Sequence, residues 1–166
     1  MPSPLRPPPP VGPRPPGPPP LEPFGLVLHH DGRWSHEGQP IRNRRLREHF
    51  DHSVRYLPDE GKYVVTLRHF RGEVEVEEAG FFVRAIDAET GHIQLSDRTE
   101  EALETSSLRP SPRDGALLCT VKRALAPEGV AARFTHAAQA DLLQLAEDTP
   151  EGPALRLAGT LHPLRI

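Results

Sequence analysis

A single cysteine, Cys119, stands among 166 residues. One thiol cannot form an internal disulfide or a cysteine-based zinc site, which fits a reducing compartment. No stretch approaches the roughly 18 to 20 consecutive apolar residues of a membrane helix. Mean hydropathy is −0.51, so the expectation is a soluble, cytoplasmic protein with no membrane partner. A secretory leader is not expected either, because Met1 to Pro20 offers proline, two arginines and only Leu5 and Val11 as aliphatics. The familiar catalytic templates are missing too. There is no G-x-S-x-G elbow, phosphate loop, dinucleotide glycine fingerprint, H-E-x-x-H or paired C-x-x-C. The expectation is a chain that is not an enzyme and carries no cofactor. Cys119, inside Leu117-Leu118-Cys119-Thr120-Val121, reads as a buried and inert thiol.

Proline is present in excess and unevenly placed: of 21 in the chain, 13 fall in residues 1–23. Pro7 to Pro10 and Arg14 to Pro20 predict a disordered, extended polyproline II tail joined to an ordinary body over residues 24–166. Such a tail is either a passive spacer or a ligand for a polyproline-recognising protein. The body is of one-domain size. Its 18 Lys+Arg against 22 Asp+Glu give −4, which makes nucleic acid an unexpected partner. The distribution is sharper than the total. Residues 33–71 carry nine basic and five acidic side chains, whereas 73–104 carry two basic and ten acidic. The first segment attracts phosphate and the second should repel it.

Apolar patterning predicts a hairpin at Phe24 to His36 around Asp31-Gly32, then a short helix from Arg44 to His52, N-capped by Asn43, with Leu46 and Phe50 inward. Lys62 to Arg68, Glu73 to Glu77, Phe81 to Ile86 and His92 to Leu95 read as a meander of about four antiparallel strands. A loop at 109–115 divides the body into halves of about 24–108 and 109–166. The stripe Phe134, Ala138, Leu142, Leu145 predicts the longest helix, starting either at Val130 or after an N-cap at Thr135. Ala154 to Gly159 and Leu161 to Ile166 close the chain as a hairpin. Arg33 to Arg42 and Arg156 to Arg165 share a strand, a glycine and Pro-aliphatic-Arg, a weak internal echo.

Candidate chemistry is concentrated near Trp34. Arg33, Trp34, Arg44 and Arg47 are the candidate ligand-binding set, because guanidinium forks grip phosphate or carboxylate bidentately beside an indole. Arg45 points to the other side of the same helix, so the arginines cannot all meet one small ligand. A metal-dependent hydrolase built on His30, His36, His49 and His52 is a weaker alternative, and no metal site is assigned. Glu73, Glu75 and Glu77 project to one face about 7 Å apart, too far for a shared acid–base pair. Cross-strand pairing with Lys62 or Arg68 accounts for them.

The ordered landmarks Asp31-Gly32-Arg33-Trp34, Gly38-Gln39-Pro40-Ile41, Phe50, Gly61-Lys62-Tyr63 and Val74 to Phe81 resemble the bacterial domain of unknown function 1285. Over residues 24–165 the series is also similar to uncharacterised protein family 0598, the domain of unknown function 4505. The resemblance implies an α+β body of two similar halves, the second like a pleckstrin-homology barrel, with a ligand site between them. It supplies no catalytic residue. Glu78 stands where aspartate is usual in the bacterial pattern, and Gly80 where proline is usual. The reading that follows is a non-enzymatic binding or regulatory module for a small anionic or nucleotide-like ligand. The alternative is an interaction platform that recruits partners through its tail.

Overall fold

The computed structural model describes residues 21–67 and 70–166. The expected tail lies outside the described residues up to Pro20, and Leu21 to Pro23 belong to the first strand. The first half of the chain holds β1 (Leu21–Leu28), β2 (Trp34–His36), β3 (Gln39–Pro40), α1 (Arg44–Ser53), β4 (Arg55–Leu57), β5 (Lys62–Leu67) and β6 (Phe70–Val76). They make one sheet in the order β3-β2-β1-β6-β5-β4. Next come β7 (Phe81–Ile86), β8 (His92–Leu95), β9 (Glu100–Ala102), a 3-10 turn at Thr105–Ser107, β10 (Arg109–Pro110), β11 (Leu117–Val121) and β12 (Val130–Phe134). Their sheet has the order β10-β11-β12-β7-β8-β9. Read from β9, that is again third, second, first, sixth, fifth, fourth.

The α+β class and the two similar halves therefore stand, but the sheets are mixed rather than purely antiparallel. In each, the first and last strands lie side by side in parallel, β1 on β6 and β7 on β12. A parallel pair needs a long crossover. In the first sheet the passage from β3 through α1 to β4 carries the chain from one edge to the other. The change from sheet to sheet falls at residues 77–80, so the expected division near 109 lies inside the second sheet. The expected four-strand meander is split at the same place: β5 pairs β6 and β7 pairs β8, in different sheets.

The two echoing segments are alike because both are tight hairpins. Glu37-Gly38 and Ala158-Gly159 each place two successive residues at positive φ, 49° and 80° in one and 52° and 75° in the other. The duplicated units are the sheets, not these hairpins.

A chain closing through α2 (His136–Leu143), β13 (Ala146–Thr149), β14 (Gly152–Leu157) and β15 (Thr160–Pro163) completes the body. Of the two expected helix starts the second holds, after Thr135, and the helix ends at Leu143, short of Leu145. Val130 to Phe134 pair with β7 and β11 as a strand, and Thr135 caps the helix by accepting from the Ala138 N–H at 3.2 Å. At ten residues α1 is longer than the eight of α2.

One hydrophobic cluster runs through all parts, from Leu26 and Trp34 through Phe81 and Ile93 to Phe134, Leu142 and Leu155. Among the described residues, no helix is long and apolar enough to cross a membrane.

Candidate functional site

Asn43 caps α1 as expected, accepting from the Leu46 N–H at 3.1 Å. The inward face of α1 differs from the expected one, however. Leu46 is 38% exposed, while Phe50 and Val54 are buried and Arg47 and Asp51 are half-buried. The face runs through positions 47, 50, 51 and 54, and a polar requirement of the core explains that rotation. Trp34 is 1% exposed and its ring packs at 5.3 Å on Phe50, so the indole N–H needs an acceptor inside the fold. Asp51 supplies it at 2.8 Å. Arg47 takes the remaining inward position, with its Nε buried and, among the described residues, without a hydrogen-bond partner.

The four expected ligand residues are not brought together. Arg33 is exposed and ion-paired to Asp31 at 2.6 Å, and Arg44 is exposed and paired to Glu48 at 3.0 Å. Trp34 is core, and Arg47 lies against the inner side of its own helix. The four histidines are also dispersed. His30 bonds Glu77, His49 Nε2 lies 3.3 Å from the Thr66 carbonyl oxygen, and His36 is 4.0 Å from Glu37. Among the described residues, no group of three or more His, Cys, Asp or Glu is placed to hold a metal ion. Burial pushes the Cys119 thiol up to about 12, which makes it inert at neutral pH. Glu73 pairs with Lys62 at 3.6 Å, as expected for a cross-strand contact.

What Trp34 does position is Asp51. One carboxylate oxygen accepts from the indole and the other from Arg84 Nη2 at 2.9 Å, so α1 of the first half is tied to β7 of the second. Burial raises the Asp51 carboxyl above its ordinary value, against the lowering contributed by Trp34 and Arg84. Arg84 is the extra residue of a bulge in β7: Val83 faces Leu95 and Ala85 faces Gln94, with no partner in register for residue 84. A bulge re-aims the side chain it carries, and this one turns Arg84 toward α1.

Beside this pair opens a cleft of about 320 Å³, lined by His52, Arg84, Gln94, Ser96, Arg98 and Glu100 among others. Arg98 is exposed and, among the described residues, has no carboxylate partner. Its backbone is held at φ 69°, an uncommon conformation for a residue with a side chain.

The turn around Arg98 is fixed on several sides. Arg98 N–H donates to Leu95 O at 2.9 Å, and Asp97 accepts from Thr99 N–H and Oγ1 at 3.1 and 2.6 Å. Asp97 also accepts from Lys122 Nζ at 2.7 Å, and that ammonium sits 5.0 Å above the Phe81 ring. His52 reports the sign of the local field. Its pKa is lowered, first by desolvation and then by Arg98 and Arg84, with Asp51 and Glu48 opposing.

Sequence reasoning passed over Arg84 and Arg98 because both lie in the acidic segment 73–104. They are its only two basic residues, and the fold brings both to one cleft.

No family model and no curated protein matches the chain. Two solved structures do. A DUF1285 family protein from Shewanella baltica OS155 matches at 11% identity with TM-score 0.49, covering 73% of this chain and 91% of that one. A DUF1285 family protein from Silicibacter pomeroyi DSS-3 matches at 17% identity with TM-score 0.59, covering 88% of this chain and 82% of that one. The two similar mixed sheets and the cleft beside α1 are thus set in a fold similar to that of the Silicibacter DUF1285 family protein.

Proposed function

We propose that the protein is a non-enzymatic binding module that holds a small anionic ligand between its halves, using Arg98, Arg84 and His52. The carrying observation is Arg98, an arginine without a carboxylate partner, fixed by a pinned turn at the mouth of a cleft that the bulged Arg84 also lines. Arginine forks match phosphate and carboxylate, and a turn already held in place adds no backbone ordering cost on binding. The ligand class is the one expected from the sequence; the residues assigned to it have moved from α1 and β2 to the cleft. Kinship with uncharacterised protein family 0598 is a proposal of the same kind, supported by the ordered landmarks from Asp31 to Phe81 and by the fold.

The test is thermal stability in sulfate or phosphate against chloride at equal ionic strength. At ten times Kd a ligand stabilises by about 1.4 kcal/mol, or roughly 3–6 °C for a body of this size. Arg98→Glu should abolish the increment while leaving the Tm in chloride nearly unchanged. An increment that survives Arg98→Glu assigns the anion elsewhere. Sulfate does not titrate in the useful range, so its pH dependence isolates His52. An anion favours imidazolium, so affinity should strengthen as pH falls through the His52 pKa and weaken above it. His52→Gln should flatten that profile.

A further inference from the structure

The cleft continues along the outer face of the second sheet into a second concavity of about 230 Å³, lined by Ala85, Ile86, Asp87, Thr90 and His92. Gln94 and Glu100 line both. These two residues are opposite each other in the β8–β9 register, and Gln94 Nε2 donates to Glu100 Oε1 at 2.9 Å. They form a polar sill between the two concavities.

The chemistry differs from end to end. Beside α1 the walls carry Arg84, Arg98 and His52. Among the described residues, no arginine or lysine lines the second concavity. Glu100 and Asp87 are acceptors, His92 is a polar edge, and Ile86 gives a small apolar patch. Asp87 Oδ1 is engaged with the Glu89 N–H at 2.9 Å, and Glu100 Oε1 with Gln94; no hydrogen bond engages the second oxygen of either carboxylate among the described residues. Carboxylate acceptors beside an apolar patch suit the hydroxyls and carbon face of a polyol or sugar, and they repel a second anionic group.

We infer that the ligand is a phosphorylated polyhydroxylated small molecule with one anionic group, its phosphate between Arg98 and Arg84 and its hydroxylated body across the Gln94–Glu100 sill toward Asp87 and His92. This rests on the anion-binding reading above and adds the class of molecule attached to the anion. The two parts make separable demands. The cationic end alone predicts that inorganic phosphate, a sugar monophosphate and a sugar bisphosphate bind in order of charge. The bipartite groove predicts that the monophosphate is preferred to both.

The experiment is calorimetric titration of the full chain with inorganic phosphate, ribose, ribose 5-phosphate and fructose 1,6-bisphosphate at fixed pH and ionic strength. Ribose 5-phosphate should bind at least about tenfold more tightly than inorganic phosphate, the equivalent of one good additional hydrogen bond. Ribose alone should give no heat, and the bisphosphate should bind no better than the monophosphate. Asp87→Asn and His92→Ala are exposed changes beyond the sill, at residues that do not line the cationic cleft. Each should reduce ribose 5-phosphate affinity toward that of phosphate, with phosphate affinity itself held within twofold.

Equal affinity for phosphate and ribose 5-phosphate, with both lost in Arg98→Glu, overturns the bipartite groove and keeps the anion site. Tighter binding of the bisphosphate also overturns it. Binding of neither phosphate nor ribose 5-phosphate overturns both readings.

Discussion

Single side chains at the junction of the halves carry much of the electrostatic design. Glu77 accepts from His29 Nδ1 at 2.8 Å and from His30 Nδ1 at 2.6 Å, and it pairs with Arg113 at 3.1 Å. The two histidine hydrogen bonds, followed by Arg113, bring its carboxyl from an ordinary 4.5 down to about 2. A carboxyl depressed in the folded state stabilises fully above its unfolded pKa, and the contribution is lost as pH falls from near 5 toward 2. Urea midpoints across that window should therefore decline with acid, and Glu77→Gln should flatten the decline.

Asp51 has the opposite sign, being raised by burial, and its value lies in geometry. Asp51→Asn keeps an acceptor for the Trp34 indole but turns an amide N–H toward Arg84, so it should lose only that half-exposed pair, less than about 1 kcal/mol. Asp51→Ala leaves a buried N–H unpaired and should cost about 1–3 kcal/mol in urea unfolding. The sequence showed the Trp34 and arginine cluster as a site because indole and guanidinium together attract anions. It did not show that Trp34 is core, since only packing on Phe50 makes Asp51 its acceptor. Arg84 and Arg98 were hidden by averaging charge along a segment, which discards the direction each side chain takes.

At the level of elements, local signals were legible and partnerships were not. Asn43 at the N-cap of α1, the turn after Asp31 and the closing hairpin follow from residue type. The parallel pairing of β1 with β6, like that of β7 with β12, leaves no mark in the alternation of apolar residues. The stripe through Phe134 and Leu142 leaves the helix start open between Val130 and Thr135, because a strand of five residues and a helix of eight in succession give overlapping apolar spacings. Thr135 is the punctuation between them, and Thr135→Ala should destabilise by about 1 kcal/mol.

Gly80, at the turn into β7, has a reason the sequence could not supply. A Cβ there would lie 2.6 Å from Cδ1 of Tyr63, whose ring packs on Tyr56 at 5.0 Å and Phe81 at 6.2 Å. The bacterial pattern's proline would meet the same wall. Gly80→Ala should cost about 1–3 kcal/mol through overpacking, read as a lower urea midpoint with unchanged slope.

For the molecule as a whole, the halves are joined by a single core and by a buried ionic knot. Arg133, 8% exposed at its side chain, bonds Glu78 Oε1 at 3.2 Å and Asp114 through both carboxylate oxygens. Glu78 belongs to the segment linking the sheets, Asp114 to the β10–β11 loop. Without the arginine Glu78 keeps the Ser111 hydroxyl at 2.6 Å and Arg113 at 3.8 Å, so Arg133→Ala should cost about 1–3 kcal/mol. Because the core is continuous, near-ultraviolet signals from Trp34 and far-ultraviolet signals from all strands should give coincident transitions. Separate curves would mean that the halves melt independently.

The strand order has a consequence for biosynthesis. In each sheet the two central places go to the earliest and the latest strand of its half, so β1, paired with β2 on one side, waits for β6 on the other, and β7, paired with β8, waits for β12. Pairings of such sequence separation form slowly. A nascent chain emerging from the ribosome thus leaves one edge of β1 unpaired for some fifty residues of translation, and the sheet closes from its middle only after both flanking ribbons have been made.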